Sequence, residues 1–183
     1  MLKGKTVVLG VTGCIAAYKA CEIVSSLKKK GATVIVIMTP HSTEFVQPLS
    51  FETLSGNRVI TDLFDRDFDF EVEHVALAKR ADVFVVAPAT ANTIGKIANG
   101  IADDMLTTTI MACKAPKIIC PAMNTNMYEN ENTTENIARL KKQGYKIIEP
   151  ISGRLACGDV GKGKMAEPET IVKAIEDILT PRY

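Results

Sequence analysis

The sequence predicts an α/β fold, a single domain (1–183) with a mainly parallel sheet and helices on both faces. Short β-branched apolar runs recur along the chain, and segments with helical spacing of apolar residues separate them. Continuous apolar runs of this kind are typical of parallel strands that are covered on both faces. The length suits one domain, and no linker-like stretch divides the chain.

The alternation of strands and helices implies right-handed βαβ units, hence a doubly wound Rossmann-like (flavodoxin-like) sheet of five to six strands. The five predicted strands are residues 6–11, 33–38, 82–88, 117–120 and 145–148, and a sixth is left open at 58–60. Helices are predicted at 15–30, 73–81, 94–99, 103–112, 134–143 and 168–179, with one or two short ones within 41–56. Residues 89–93 are predicted to form a small-residue loop. The glycine-rich segment 152–164 is predicted to be a mobile loop with little regular structure.

Charge and composition argue against several classes of partner. Lys and Arg number 22 and Asp and Glu 21, so the net charge of +1 predicts neither nucleic-acid nor membrane binding. The five cysteines are odd in number and form no C-x-x-C pair, which predicts neither a disulfide framework nor a metal site. Reduced thiols, an N-terminus that runs straight into a strand and the lack of a transmembrane-length apolar run lead us to expect a cytoplasmic protein.

The first strand–helix turn is a candidate phosphate site. Gly10 and Gly13 let backbone N–H groups approach an anion at the start of a helix. The turn is not a G-x-G-x-x-G fingerprint, and strand two ends in Thr39 rather than in an acidic residue. Both observations favour a mononucleotide over a dinucleotide, although a plain tight turn explains the glycines about as well.

The segment after the third strand, residues 88–93, offers room for a flat ring. Its small side chains leave space, and Thr90 and Asn92 can bond the polar edge of a ring. A helix N-cap by Thr90 or Asn92 is the alternative interpretation, and the two are compatible.

Residues 121–128 follow the fourth strand, where ligands bind in open α/β sheets. Asn124 is a poor choice for a core position, whereas Met123 and Met127 are by default core residues. Cys157 differs from the other cysteines because it lies in the glycine-rich segment, where a thiol could donate a proton. His74 could act as a base, but its acidic neighbours favour a solvated helix face.

Together these segments resemble the homo-oligomeric flavin-containing cysteine decarboxylases, over essentially the whole chain. The family motif P-A-S-A-N-T is matched by residues 88–93, with Thr90 in place of Ser. The motif P-x-M-N-x-x-M-W is matched by residues 121–128, with Tyr128 in place of Trp.

The resemblance extends to the substrate clamp of that family. Its motif G-x-L-A-C-G-x-x-G-x-G-R-M is matched by residues 153–165, with Lys164 in place of Arg, and its active-site histidine falls on His74. The differences from the family motifs at Tyr128 and Lys164 concern details of the pocket and the clamp. They do not affect the implied chemistry. Each motif is moderately specific, and the ordered set is highly so.

The resemblance implies an enzyme that uses FMN to decarboxylate 4′-phospho-N-pantothenoylcysteine to 4′-phosphopantetheine in coenzyme A biosynthesis. In that chemistry the thiol is oxidised to a thioaldehyde, CO2 leaves, and the enethiol is reduced. The implied catalytic residues are His74 as acid/base, Asn124 on the substrate carboxylate and Cys157 as proton donor. The implied FMN site consists of Gly13, Cys14, Ile15, Ala16, Thr39, Ala89, Thr90, Asn92 and Met123. The implied substrate contacts are Asn124, Met127, Ala156 and Lys164.

The family also implies partners. Its members form trimers with the flavin between subunits, often assembled into dodecamers, and bacterial relatives are often fused to a phosphopantothenate–cysteine ligase. Three alternatives stay open: a peptidyl-cysteine decarboxylase, an FMN-prenylating relative, and a non-catalytic regulator that binds a phosphatase. The Cys157 clamp and residues 121–127 argue against the prenylating enzyme, and His74, Asn124 and Cys157 together favour a decarboxylase.

Overall fold

The computed structural model describes residues 1–64, 73–154, 156 and 158–180. At its centre lies a parallel sheet of five strands in the order β2-β1-β3-β4-β5, which confirms the predicted fold class. The strands are β1 (Thr6–Val11), β2 (Thr33–Met38), β3 (Val83–Ala89), β4 (Lys117–Pro121) and β5 (Lys146–Ile147). Because the order reverses between β1 and β3, the carboxyl ends of these two strands form the switch point at which such sheets bind ligands.

Helices cover both faces of the sheet. They are α1 (Ala17–Lys29), α2 (Pro48–Ser55), α3 (Glu73–Arg80), α4 (Ala91–Ala98), α5 (Met105–Ala112), α6 (Thr125–Glu129), α7 (Glu131–Lys142) and α8 (Pro168–Leu179), and a short 3₁₀ helix spans Pro40–Glu44. The described helices are too short or too polar to cross a membrane.

The core consists of two apolar layers, one on each face of the sheet. Alternation along β1 sends Val7 and Leu9 into the layer with α1 and α8, and sends Val8 into the layer with α4, α5 and α7. Strands β1 to β4 bury nearly every side chain, which is what their continuous apolar runs predict.

Two predictions about local structure are wrong. The small-residue loop predicted at 89–93 is largely the first turn of α4, because the Thr90 hydroxyl accepts the Thr93 N–H at 3.3 Å and starts the helix early. The segment 152–164 is not an irregular loop. It contains an antiparallel hairpin of β6 (Ile151–Arg154) and β7 (Val160–Lys164).

The strand left open at 58–60 proves to be a single parallel bridge between Ile60 and Ile37. Residues 65–72, which belong to the segment with least predicted order, lie outside the described residues.

Candidate active site

A cavity of about 370 Å³ lies where α1 begins, β4 ends and the hairpin folds back. The α1 side is formed by Cys14, Ile15, Ala16, Tyr18 and Lys19. The segment after β4 contributes Ala122, Met123 and Asn124, and the hairpin side is formed by Arg154, Ala156, Gly163, Lys164 and Met165. Seven of the residues expected to bind cofactor or substrate therefore line the same cavity: Cys14, Ile15, Ala16, Met123, Asn124, Ala156 and Lys164.

The start of α1 is suited to an anion. Its N-cap residue Ala16 makes no side-chain capping bond, and the first turn carries no acidic residue. The Ala16 N–H bonds the Cys14 thiol, and the Ala17 and Lys19 N–H groups bond the carbonyls of Cys14 and Ala16, so what the start of α1 offers an anion is the positive end of the helix dipole. Burial raises the pKa of the adjacent Cys14 thiol, which keeps this side chain neutral.

Asn124 is held in one orientation by its role as the N-cap of α6. Its Oδ1 accepts the backbone N–H of Asn126 at 2.8 Å. The amide nitrogen Nδ2 therefore points the other way and donates to Oδ2 of Asp159 on the hairpin side at 3.3 Å. The fixed amide therefore directs its N–H donors toward the hairpin, where the Asp159 carboxylate accepts one of them.

Two hairpin glycines touch the segment that carries Asn124. The carbonyl of Gly163 accepts the backbone N–H of Met123 at 3.0 Å, and a Cβ on Gly163 would overlap the carbonyl oxygen of Met123. A Cβ on Gly161 would overlap the side chain of Thr125. Backbone therefore packs on backbone at Gly163 and on a side chain at Gly161, and at both positions only glycine leaves room for the contact.

A charged cluster, which we call the Glu149 cluster, joins the hairpin to the helices beside it. Glu149 accepts from Lys141 of α7 at 2.8 Å, from Lys162 of β7 at 3.0 Å and from the Tyr128 hydroxyl of α6 at 2.5 Å. The Lys162 ammonium also lies 5.3 Å from the centre of the Tyr128 ring. The Lys141 ammonium, and after it the Tyr128 hydroxyl, hold the pKa of Glu149 at about 2, and burial together with Glu149 raises the pKa of Tyr128.

The Glu149 cluster should make the hairpin sensitive to acid. Because the folded pKa of Glu149 lies below the unfolded value of about 4.3, its stabilisation is complete above about pH 4.5 and is lost as the pH falls toward 2. Solvent screens this exposed carboxylate, so we expect Glu149→Gln to lower the free energy of unfolding by about 1 kcal/mol at pH 7. The difference should shrink steadily below pH 4.5 in urea titrations. The control Glu135→Gln, on an exposed position of α7, should not show it.

Other expected cofactor residues lie at the switch point rather than on the cavity wall. Gly13 follows β1, Thr39 starts the 3₁₀ helix after β2, Ala89 ends β3, Thr90 caps α4, and Asn92 is exposed on α4. Thr12, which the sequence patterns did not single out, links two of these segments. Its hydroxyl donates to the Pro88 carbonyl at 2.7 Å and accepts the Thr90 N–H at 3.1 Å.

Two further site residues do not line the cavity, and a third lies outside the described residues. His74 is half-buried on α3 and does not line it. Met127 is 50% exposed and also lies off the wall, so the chain by itself does not make it a pocket residue. Cys157 lies outside the described residues, between Ala156 on the cavity wall and Gly158.

Lys19 is a wall residue that the sequence patterns missed. It lies on the inward face of α1, and its ammonium is 2.7 Å from a carboxylate oxygen of Glu167. A lysine among the apolar positions of an amphipathic helix is the only signal that could have pointed to it.

Residues 1–180 match the protein family described as Flavoprotein. This chain belongs to the Flavoprotein family. The flavoprotein is 52% identical over 176 residues, 96% of its length, to the "Coenzyme A biosynthesis bifunctional protein CoaBC" of Bacillus subtilis (strain 168), and it spans 43% of that relative. It is 47% identical over 177 residues to the "Probable phosphopantothenoylcysteine decarboxylase" of Streptococcus mutans, with 96% of this chain and 99% of that one covered.

Solved structures show the same fold. The flavoprotein superposes on "The FMN binding protein AtHal3" with a TM-score of 0.83 at 34% identity, and the match covers 99% of this chain and 100% of that one. The predicted resemblance to flavin-containing decarboxylases is thereby confirmed at the level of family and fold.

Proposed function

We propose that this chain is an FMN-dependent decarboxylase domain (1–183) that converts 4′-phospho-N-pantothenoylcysteine to 4′-phosphopantetheine in coenzyme A biosynthesis. The observation that carries the proposal is the cavity, which the oriented amide of Asn124, the glycine-docked hairpin and the start of α1 line together. The Streptococcus relative, similar over almost its whole length, has the name of this activity.

The residues at the switch point fit FMN. A Cβ on Gly13 would lie 2.7 Å from the Cβ of His41, so only glycine lets the turn after β1 pack against the segment after β2, and no side chain of residue 13 shields the backbone N–H groups of this turn. Gly13, Cys14, Ile15 and Ala16 would hold the phosphate at the start of α1. Thr39, Ala89, Thr90, Asn92 and Met123 would surround the ring, and the family name and an FMN-binding neighbour support this assignment.

The chemistry divides between the cofactor and this chain. When bound, FMN supplies a two-electron acceptor for the substrate thiol and later returns the electrons. The oxidised substrate carries C=S on the carbon β to the carboxylate, so the electrons left by departing CO2 move into that group. The Asn124 amide holds the carboxylate, and the hairpin excludes water from the carbanion-like transition state. The resulting enethiol is reduced to the cysteamine amide, with no net redox change.

Two proton-transfer residues complete the proposed machinery. His74 acts as acid/base during oxidation and CO2 loss, and the Cys157 thiol protonates carbon during reduction of the enethiol. Ala156, Lys164 and Met127 make the remaining substrate contacts.

A second copy of the chain is part of the proposal. His74 and Met127 do not line the cavity of one chain, while Ile15 and Tyr18 at its edge are 57% and 54% exposed. A homo-oligomer based on trimers, up to a dodecamer, would cover these apolar side chains and close the flavin site between subunits. The Bacillus relative is called bifunctional, which supports a fused or associated phosphopantothenate–cysteine ligase, and we propose that the pathway is cytoplasmic.

The test begins with the colour of the purified protein. We expect a flavin absorbance spectrum, and release of CO2 and 4′-phosphopantetheine when 4′-phospho-N-pantothenoylcysteine is added. His74→Asn should stop CO2 release, whereas Cys157→Ser should release CO2 and accumulate the enethiol. A protein that binds no flavin contradicts the proposal, and a preference for peptides ending in cysteine would assign a peptidyl-cysteine decarboxylase instead.

A further inference from the structure

One carboxylate links two lysines on the wall of the cavity. Oε2 of Glu167 lies 2.7 Å from the Lys19 ammonium of α1, and Oε1 lies 3.2 Å from the Lys164 ammonium of β7. Both lysines line the cavity, and Lys19 is only 8% exposed. Lys19 and Glu167 are 148 positions apart in the chain. The contact therefore joins α1 to the base of the hairpin across the wall.

The position of Glu167 in the chain makes the contact unusual. Glu167 is the N-cap of α8 and makes no side-chain capping bond there. Its carboxylate turns to the lysines instead, and the Lys19 hydrogen bond, followed by that of Lys164, lowers its pKa. Glu167 is therefore ionised at neutral pH and offsets part of the positive charge of an otherwise largely apolar wall.

We propose that Lys19 and Lys164 form an anion-binding wall, and that Glu167 is its internal counter-anion, with which an anionic group of the ligand competes. The wall takes an anionic oxygen group, either the phosphate or the carboxylate end of the pantothenoyl ligand. The identity of that ligand rests on the proposed function, but the anion-binding wall does not.

The sign of the effect follows from two opposed contributions. The side chains that line the cavity include a third cation, Arg154, so removing the charge of Glu167 changes the balance from three positive charges and one negative to three positive charges, which favours an anion. It also frees two lysine side chains, which costs ordering free energy when the anion binds. A charge within a few ångströms in a partly buried site outweighs side-chain ordering, so anions should bind more tightly without Glu167.

The experiment is calorimetric titration of the flavin-loaded protein and its variants with four probes. These are 4′-phosphopantetheine (phosphate only), N-pantothenoylserine (carboxylate only, with a hydroxyl in place of the thiol), pantetheine (neither) and inorganic pyrophosphate. The control Glu169→Gln removes the same charge from an exposed site two residues away. We expect Glu167→Gln to tighten binding of pyrophosphate and one pantothenoyl anion about tenfold, equal to 1.4 kcal/mol, and to leave pantetheine and the control unchanged.

If 4′-phosphopantetheine binds more tightly to Glu167→Gln, the wall holds the phosphate end of the ligand. If N-pantothenoylserine does, the wall holds the carboxylate end. In a Lys19→Gln background the tightening should shrink, since Glu167 then has one lysine fewer to neutralise. If the wild type binds no pantothenoyl ligand, but Glu167→Gln binds pyrophosphate more tightly than the wild type does, the proposed function is contradicted and the anion-binding wall is supported. Unchanged or weaker anion binding in Glu167→Gln, or no anion binding to any variant, overturns the inference.

Discussion

Replacing Asn124 with aspartate should lower the rate of CO2 release by about 10³-fold, the size expected when an essential hydrogen-bond donor is lost. Aspartate caps a helix as well as asparagine does, so the Asn126 N–H bond and the start of α6 should survive. The amide nitrogen, however, becomes a carboxylate oxygen that faces Asp159 and, in the proposed function, the substrate carboxylate as well. The variant thus removes attraction and adds repulsion without disturbing the backbone.

Single-turnover CO2 release and circular dichroism would separate chemistry from folding. Asn126→Asp makes the same charge change on an exposed neighbour and should keep nearly full activity. Asn124→Ser keeps a cap without adding charge and should fall between the two. Wild-type rates in Asn124→Asp would remove Asn124 from the proposed machinery.

Replacing Gly163 with alanine should lower kcat/KM about 100-fold, equal to about 2.7 kcal/mol. The added Cβ would overlap the Met123 carbonyl oxygen, and a backbone atom cannot rotate away as a side chain can. The hairpin must therefore lift from the segment that carries Asn124, which breaks the 3.0 Å bond from the Met123 N–H. A clamp displaced by about 1 Å is enough to lose the geometry that catalysis needs.

Hydrogen exchange at the Met123 amide reports the displacement directly, and we expect faster exchange in Gly163→Ala. Gly153→Ala is the matched control, because a Cβ there meets only the Lys164 side chain at an ordinary 3.8 Å. Unaltered exchange together with reduced activity would mean that the hairpin acts by some route other than this docking.

The regular elements could be predicted because their signals are local. Apolar runs predicted β1 and β2, the helical spacing of apolar residues predicted α1, and Pro168 indicated the start of α8. The hairpin could not be predicted because its glycines suggested flexibility. In the structure Gly161 and Gly163 permit close contact with Met123 and Thr125, which only the folded chain reveals.

The candidate site divides in the same way. Motifs placed Asn124 and Met123 on the cavity wall, since residues at strand ends gather at one edge of a parallel sheet. They missed Lys19, whose partner Glu167 is far away in sequence. The part of the site that depends on His74 and Cys157 stays a prediction.

The outer edge of β2 bears on how copies of the chain could meet. The Val34 carbonyl accepts Asn57 Nδ2 at 2.8 Å, the Val36 carbonyl accepts the Ile60 N–H at 3.1 Å, and the Met38 N–H donates to Ile60 at 2.9 Å. A strand from another molecule would have to displace these bonds before it could extend the sheet. At this edge the existing bonds disfavour association by sheet extension. A second copy would therefore make side-chain contacts here rather than main-chain hydrogen bonds. The specificity of such an assembly would then lie in shape and apolar contact, which point substitutions can alter without touching the sheet.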